Sequence, residues 1–469
     1  MIYWKEIKIQ IRTTVILKSV SLQLKRGESL GIIGANGCGK TILAKAIAGI
    51  LPVIGTNESI PYRAVYVSFQ SQFQLKHSAR GYRQQRWNWT DPEFIPTVKE
   101  EFEKIETQTE LKKLVIQFNF EKLIDQFVIS LSNGEQRKFE LIKALATSPD
   151  LLVIDNAFNG LDKASRILLN EMLNYLIVKG HSVVLTGLKP EDFPERTDRF
   201  ISIATDNTCR ELSKEQLPEN KVTNFITTGA IPVWKNSETI ELMCLKNLHL
   251  EMAGKVILKD ISWTINKGEC WVLSGENGSG KTSLLNMIFA DNPKAYQCDI
   301  RLFGNPKGSG ESIWEIKDRI GFVSPEMHQY LTGRQKVNDV ICSGFFGSEG
   351  LYQKPTSFQR KLAVKWLGLI GLKHLNEKSF ETLSASAQRM VLVVRTMVKN
   401  PPLIILDEPF QGLDACNIER LKNLLNTIAE NTNCSMIFVS HFEEEIPSSF
   451  KFELRLHGGR IDYLGEKIH

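Results

Sequence analysis

Two eight-residue stretches of this chain combine residue types and spacing suited to gripping a phosphate chain. Gly34-Ala35-Asn36-Gly37-Cys38-Gly39-Lys40-Thr41 and Gly275-Glu276-Asn277-Gly278-Ser279-Gly280-Lys281-Thr282 both satisfy G-x-x-x-x-G-K-[ST]. In such a loop Gly37, Gly39, Gly278 and Gly280 let backbone N–H groups, those at Asn36 and Asn277 included, converge on phosphate oxygens. A helix expected to open at Thr41 or Thr282 adds the positive end of its dipole. Lys40 and Lys281 are placed to reach the β- and γ-phosphates, and the Thr41 and Thr282 hydroxyls to ligate Mg2+. Downstream of each loop an apolar run ends in an acid, LLVID at 151–155 and LIILD at 403–407. Asp155 and Asp407 are expected to hold the same ion through its water. The chemistry implied is binding of ATP with Mg2+ at two places in one chain.

The elements that must position these groups are readable around them. Ser29–Gly34 and Cys270–Gly275 are short apolar stretches leading into the loops, as a strand would. Leu151–Ile154 and Leu403–Leu406 read as buried strands, and Ser182–Leu185 and Ser435–Val439 as a further core strand in each half. Strands alternating with helical stretches predict a mainly parallel sheet covered on both faces, an α/β fold. Residues 17–41, LKSVSLQLKRGESLGIIGANGCGKT, recur without a gap at 258–282 as LKDISWTINKGECWVLSGENGSGKT. LSNGEQRK at 131–138 matches LSASAQRM at 383–390, and LLVIDNAFNGLD at 151–162 matches LIILDEPFQGLD at 403–414. Ser132 precedes Asp155 by the same interval that separates Ser384 from Asp407. Matching segments in one order read as two copies of one domain. We place them at 1–215 and 241–469, with a short polar connector at 216–240.

Composition narrows the class. With 42% hydrophobic and 24% charged residues, the chain has an ordinary globular balance. A net charge of +5 falls short of the footprint of a dedicated nucleic-acid binder. No two of the eight cysteines form C-x-x-C, which argues against a zinc site, and Cys38 inside a phosphate loop argues against a disulfide framework and for a reducing compartment. Met1–Glu6 carries charge where a signal peptide needs its apolar stretch, and no run of about 18 apolar residues occurs. The expected location is cytoplasmic, or peripheral on the cytoplasmic face of a membrane.

At this point the chain resembles the ATP-binding-cassette (ABC) ATPases over nearly its whole length. LSNGEQ is close to that family's LSGGQ-type signature, and Asp162 and Asp414 match its D-loop. The resemblance implies two P-loop domains, each with an attached helical signature subdomain, pairing head to tail. Each ATP is then sandwiched between the phosphate loop of one half and the signature of the other, Ser132 and Gly134 or Ser384. Gln70 and Glu326 fall near the family's Q-loop.

The two composite sites so implied are unequal. On the second loop, Lys281, Thr282 and Asp407 are joined by Glu408, where the family places the carboxylate that activates water, and by His441, which matches its switch histidine. On the first, Asn156 stands where the general base belongs, and an amide cannot take a proton. Leu188 stands opposite His441, and the facing signature carries Ser386 at the position of Gly134, where a side chain is expected to crowd the γ-phosphate. The first site is therefore expected to bind ATP and turn it over slowly. Counting back to the family's adenine-stacking position gives Ile11 and Met252, so adenine is expected to rest on apolar contact, with Tyr3 or Trp4 as possible substitutes in the first half.

Two segments lie outside this machinery. Lys76–Trp89, with Arg80, Arg83, Arg86, Trp87 and Trp89, reads as a surface insertion, with a nucleic-acid or partner patch as the alternative. RLFGNPKGSGESIWEIKDRIGFVS at 301–324 is similar to the molybdate-transport branch of the family. Two functions stay open: the energising subunit of a transporter, docked on membrane permease subunits, or a cassette ATPase acting on nucleic acid or ribosomes. The short connector and the missing C-x-x-C pairs favour the first.

Overall fold

In the run Leu151–Asp155, strand alternation sends Leu151 and Val153 to one face and Leu152 and Ile154 to the other, and each pair joins a different core cluster. Leu403–Asp407 repeats this, with Leu403 and Ile405 in one cluster and Ile404 and Leu406 in another. A strand apolar on every residue thus sits in a sheet covered on both sides. The computed structural model describes residues 2–11, 14–69, 96–128, 131, 133–158, 161, 163–204, 207–217, 231–232, 240–252, 255–289, 292–325, 327, 335–348 and 350–467. It falls into two compact units, Met1–Lys221 and Val222–His469.

In the first unit the strands are β1 (Ile2–Ile11), β2 (Thr14–Leu24), β3 (Ser29–Gly34), β4 (Ile54–Asn57), β5 (Ala64–Ser68), β6 (Leu151–Asp155), β7 (Ser182–Gly187), β8 (Arg199–Ile203) and β9 (Cys209–Leu212). The helices are α1 (Lys40–Ile47), α2 (Val98–Glu103), α3 (Gln108–Gln117), α4 (Asn133–Ala146) and α5 (Lys163–Val178). The central sheet runs β5-β6-β7-β3-β8-β9, parallel except for the β9 edge. The second unit repeats it with β10 (Glu241–Met252), β11 (Lys255–Asn266), β12 (Cys270–Gly275), β13 (Asp299–Leu302), β14 (Asn305–Pro306), β15 (Ile320–Val323), β16 (Leu403–Asp407), β17 (Ser435–Val439), β18 (Phe452–His457) and β19 (Arg460–Glu466). Its helices are α6 (Lys281–Ile288), α7 (Ile313–Asp318), α8 (Val337–Ser343), α9 (Ser357–Leu369), α10 (Ala385–Met397) and α11 (Ala415–Asn431), and its central sheet runs β15-β16-β17-β12-β18-β19. Both halves are the expected α/β domain.

Each half also carries an antiparallel sheet, β2-β1-β4 and β11-β10-β13-β14. In β1 the register shifts between Trp4 and Ile7, with Glu6 at φ 49°, so Trp4 and Ile7 both turn inward. Such a bulge breaks the period-two pattern that would have revealed the strand. The helical subdomains are α2–α4 and α8–α10. Thr97 with Glu100 and Thr356 with Gln359 form capping boxes at α2 and α9, satisfying N–H groups that have no partner within the helix. Among the described residues, no helix is long and apolar enough to cross a membrane.

Candidate nucleotide sites

Each phosphate loop is shaped by glycines that hold positive φ: Gly37 at 82° and Gly39 at 108°, Gly278 at 81° and Gly280 at 102°. An L side chain is strained there, and a Cβ on Gly280 would stand 2.7 Å from Leu258 Cδ2. Gly39 and Gly280 cap α1 and α6, so the helices begin at Lys40 and Lys281, one residue earlier than the sequence suggested. Asn36 and Asn277 lie half-buried in the turns before these caps. Lys40 Nζ donates to the carbonyls of Gly34 (2.7 Å) and Ala35 (2.9 Å), and Lys281 Nζ to those of Gly275 (2.7 Å) and Glu276 (2.8 Å). Both ammonium groups are thereby folded back across their own loops.

Thr41 Oγ1 donates to Asp155 Oδ2 at 2.8 Å, so the hydroxyl and carboxylate expected to share a metal are already in contact. Thr282 is exposed on the first turn of α6, and Asp407 is buried at the end of β16. Hydroxyl and carboxylate oxygens are the hard donors Mg2+ prefers, and the glycine cradle with its lysine suits a triphosphate. In the second half the residues present fit Mg-ATP; in the first, the phosphate cradle fits the nucleotide, but Asp155 also accepts from Tyr66 and Thr186.

The residue after each strand-ending acid takes a left-handed backbone, Asn156 at φ 55° and Glu408 at 45°. Asn156 N–H donates to Thr186 Oγ1 (2.9 Å) and Glu408 N–H to the Val439 carbonyl (3.1 Å). In the second half His441 Nε2 lies 3.2 Å from Glu408 Oε1, the two side chains being 9% and 22% exposed. The sheet register pairs Ile154 with Leu185 and Leu406 with Phe438. Counting on from those pairs, Leu188 occupies the place of His441. Instead of a switch residue, that loop has Asp192 Oδ2 accepting from the Leu188 and Lys189 N–H groups, while Arg166 holds Oδ1 at 3.1 Å.

Two expectations need correction. Ser386 does not crowd the outer face of its signature turn. Its side chain is 1% exposed and accepts a hydrogen bond from Asn417 Nδ2 at 2.9 Å. A Cβ built on Gly134 points the same way, 2.5 Å from Ser165 Oγ. The pairs Gly134/Ser165 and Ser386/Asn417 are alternative fillings of one inward-facing space. Nor can Trp4 carry adenine, because it is 4% exposed within the first half's core. Tyr3 is exposed, but it lies near the start of β1 while Ile11 ends it, roughly 26 Å away along an extended strand. Ile11 is exposed at the end of β1, and Ile16 and Leu17 near the start of β2 lie against Gly39.

Ser384 caps α10 by accepting from Ala387 N–H at 3.3 Å, and Gly134 sits in the first turn of α4. Asp414 caps α11 by accepting from Asn417 N–H at 3.0 Å. Ser132, Asp162, Gln70, Glu326 and the segment Lys76–Trp89 lie outside the described residues. In the segment 308–317, α7 presents Trp314 to solvent.

Sequence reasoning missed a pair of arginines. Arg389 is fully buried and donates to the carbonyls of Glu408 (2.7 Å), Ser324 (2.7 Å), Asp407 (3.0 Å) and Pro409 (3.2 Å). Burial pushes its pKa down to about 10, which leaves it charged at neutral pH. Arg137 does the same in the first half, donating to the carbonyls of Asn156 (3.0 Å) and Ala157, with its pKa pushed down to about 9 by burial and by Arg166. Both follow the signature glutamine in the repeated Q-R dipeptide, which was the available signal. Each fixes the strand-ending loop to its own signature helix.

The family model for the ABC transporter family matches this chain twice, at residues 17–159 and 258–411, each span joining a phosphate loop to its strand-ending acid. The chain belongs to the ABC transporter family. The ABC transporter ATP-binding protein ModF of Escherichia coli (strain K12) is 33% identical over 487 residues, covering 98% of each chain. An uncharacterised ABC transporter ATP-binding protein of Schizosaccharomyces pombe is 28% identical, covering 95% of this chain and 96% of its own. Among solved structures, the RNase-L inhibitor matches with a TM-score of 0.59 at 16% identity, covering 99% of this chain and 91% of its own; this is a likeness of fold. This tandem ABC protein therefore shares its two-cassette arrangement with full-length relatives.

Proposed function

We propose that this tandem ABC protein hydrolyses ATP at its second phosphate loop and mainly holds nucleotide at its first. The observation that carries this is the pairing of His441 with Glu408 at 3.2 Å, set against Leu188 and Asn156 at the matched positions. In the second half Lys281 and the loop N–H groups bind the β- and γ-phosphates, while Thr282 and Asp407 would hold Mg2+, which would supply charge compensation for the phosphates. Glu408 orients the attacking water and takes its proton, and His441 steadies the γ-phosphate end of the site. Ser132 and Gly134 complete this site from the first half when ATP closes the two cassettes head to tail, and Ser384 faces the other. Lys40, Thr41 and Asp155 hold the second nucleotide, where Asn156 offers no base.

The cycle so driven energises a transporter, with permease subunits supplied by other chains and the protein peripheral on the cytoplasmic face. Molybdate is the cargo that the 301–324 segment favours. Purification from detergent-solubilised membranes tests this reading: recovery of a permease supports it, and recovery of ribosomes or nucleic acid in its place refutes it.

A further inference from the structure

Asp155 is 1% exposed and accepts three hydroxyl hydrogen bonds. Thr41 Oγ1 (2.8 Å) and Tyr66 Oη (2.9 Å) donate to Oδ2, and Thr186 Oγ1 (2.5 Å) donates to Oδ1. The Thr186 hydroxyl already accepts from Asn156 N–H, so its single hydrogen is committed to Asp155. The pairing of Tyr66 with Val153 in the sheet fixes the ring beside β6. A carboxylate oxygen offers about two acceptor directions. On Oδ2, the oxygen that faces Thr41, both are filled by protein.

In the second half the two matched positions carry no hydroxyl. Phe322 pairs with Ile405 where Tyr66 pairs with Val153, and Val439 pairs with Asp407 where Thr186 follows Leu185. Neither Phe322 nor Val439 has a side-chain hydroxyl, so neither can compete for Asp407. The difference is independent of Asn156 and Leu188, because it concerns the metal-holding carboxylate and neither the base nor the γ-phosphate contact.

We propose that Tyr66 and Thr186 occupy Asp155 in place of a metal-bound water, making the first cassette a site for nucleotide bound with little dependence on Mg2+. The inference rests on the reading that the first loop holds nucleotide. Phosphate charge there is met by Lys40, the loop N–H groups and the α1 N-terminus, none of which needs the ion. To accept a metal-bound water, Asp155 must release Tyr66 or Thr186, which weakens the metal's hold.

The test uses the full chain with one loop disabled at a time. Lys281→Ala isolates the first site and Lys40→Ala the second. Equilibrium binding of a fluorescent ATP analogue is then measured in Mg2+ and in EDTA. The first site should change affinity by less than about threefold between the two media and the second by at least about tenfold, the scale of one hydrogen bond to a charged group. Adding Tyr66→Phe and Thr186→Val to the Lys281→Ala chain copies the second half and should restore about tenfold metal dependence. Tyr66→Phe alone keeps the ring and should move the same way, guarding against misfolding of the multiple variant. Equal metal dependence at both sites, or no response to Tyr66→Phe, overturns the proposal while leaving the nucleotide-holding site intact. Absence of binding to the Lys281→Ala chain in either medium refutes that underlying reading and the proposal with it.

Discussion

Replacing Glu408 with glutamine isolates the proposed chemistry from everything else the residue does. Its backbone is fixed from both sides, by its N–H to the Val439 carbonyl at 3.1 Å and by Arg389 on its own carbonyl at 2.7 Å. Glutamine has the same length and can still meet His441, 3.2 Å away, but it cannot accept a proton from water. Loss of a positioned general base lowers the rate by about 10²–10⁴, or roughly 2.7–5.4 kcal/mol of barrier. ATP affinity should not fall, because the proposed phosphate contacts come from Lys281 and the glycine cradle. Phosphate release in single turnover gives the first quantity and equilibrium nucleotide binding the second. The matching change Asn156→Ala should alter turnover by less than about twofold, since the amide removed could not accept a proton from water. A fall in turnover as steep for Asn156→Ala as for Glu408→Gln would refute the division of labour between the halves. Glu408→Gln turnover within about tenfold of the parent would refute the assignment of the base.

Other substitutions test the scaffold. Arg389→Ala removes the guanidinium donor from four carbonyls, two of them in buried contacts, and should lower stability by about 3–5 kcal/mol in urea unfolding. Arg389→Lys should recover less than half of this, since one ammonium cannot span the carbonyls that a guanidinium fork reaches. Gly134→Ser should cost about 1–2 kcal/mol through overpacking against Ser165, and Gly134→Ser with Ser165→Asn should recover most of it by copying Ser386 and Asn417. Thermal melts of the single and double variants read that coupling directly. Lys399 is pushed down to about 8 by burial, whereas the unfolded side chain titrates near 10.4. Between those values the unfolded chain binds the extra proton, so Lys399 makes stability rise with pH across that window and leaves it flat below. Unfolding free energies of the parent and Lys399→Met across pH 7–10 should therefore converge or cross in the parent's favour as pH rises. A parent that lost ground would contradict the sign.

The parts of the fold that bury every residue of a strand were legible, because LLVID, LIILD and their neighbours carry a continuous apolar signal. The β1 and β10 sheets were not, because bulges at Glu6 and Asn247 break the alternation that marks a half-buried strand. The phosphate loops were legible for a different reason: backbone approach to phosphate demands glycine at fixed intervals, and that demand is written directly in residue types. What could not be read was direction. LSASAQ shows that a serine replaces a glycine, but only the packing of α10 on α11 shows that its side chain turns inward to Asn417. Trp4 likewise looked available for a ligand until the register of β1 placed it in the core. The hydroxyls on Asp155 come from residues far apart in sequence, and each is ordinary until sheet pairing brings it within reach of one carboxylate.

The backbone after each strand-ending acid adds a physical reason for the division between the halves. Both positions are left-handed, a conformation that asparagine adopts several-fold more readily than most other non-glycine residues. Glutamate gains nothing comparable there, so Glu408 holds an unfavourable φ that its surroundings must enforce, a form of strain found at functional sites. The enforcement is visible in Arg389, whose guanidinium gathers the Asp407, Glu408 and Pro409 carbonyls at once. In the first half Arg137 holds the carbonyls of Asn156 and Ala157, around a residue already suited to the conformation. On the proposed division, the first half combines the same loop geometry with side chains that suit stability: asparagine in the left-handed position, three hydroxyls on Asp155, and Asp192 accepting from the Leu188 N–H. The second half retains the strained glutamate, an acid without the Tyr66 and Thr186 hydroxyls, and a histidine beside it, the arrangement expected where charge must move.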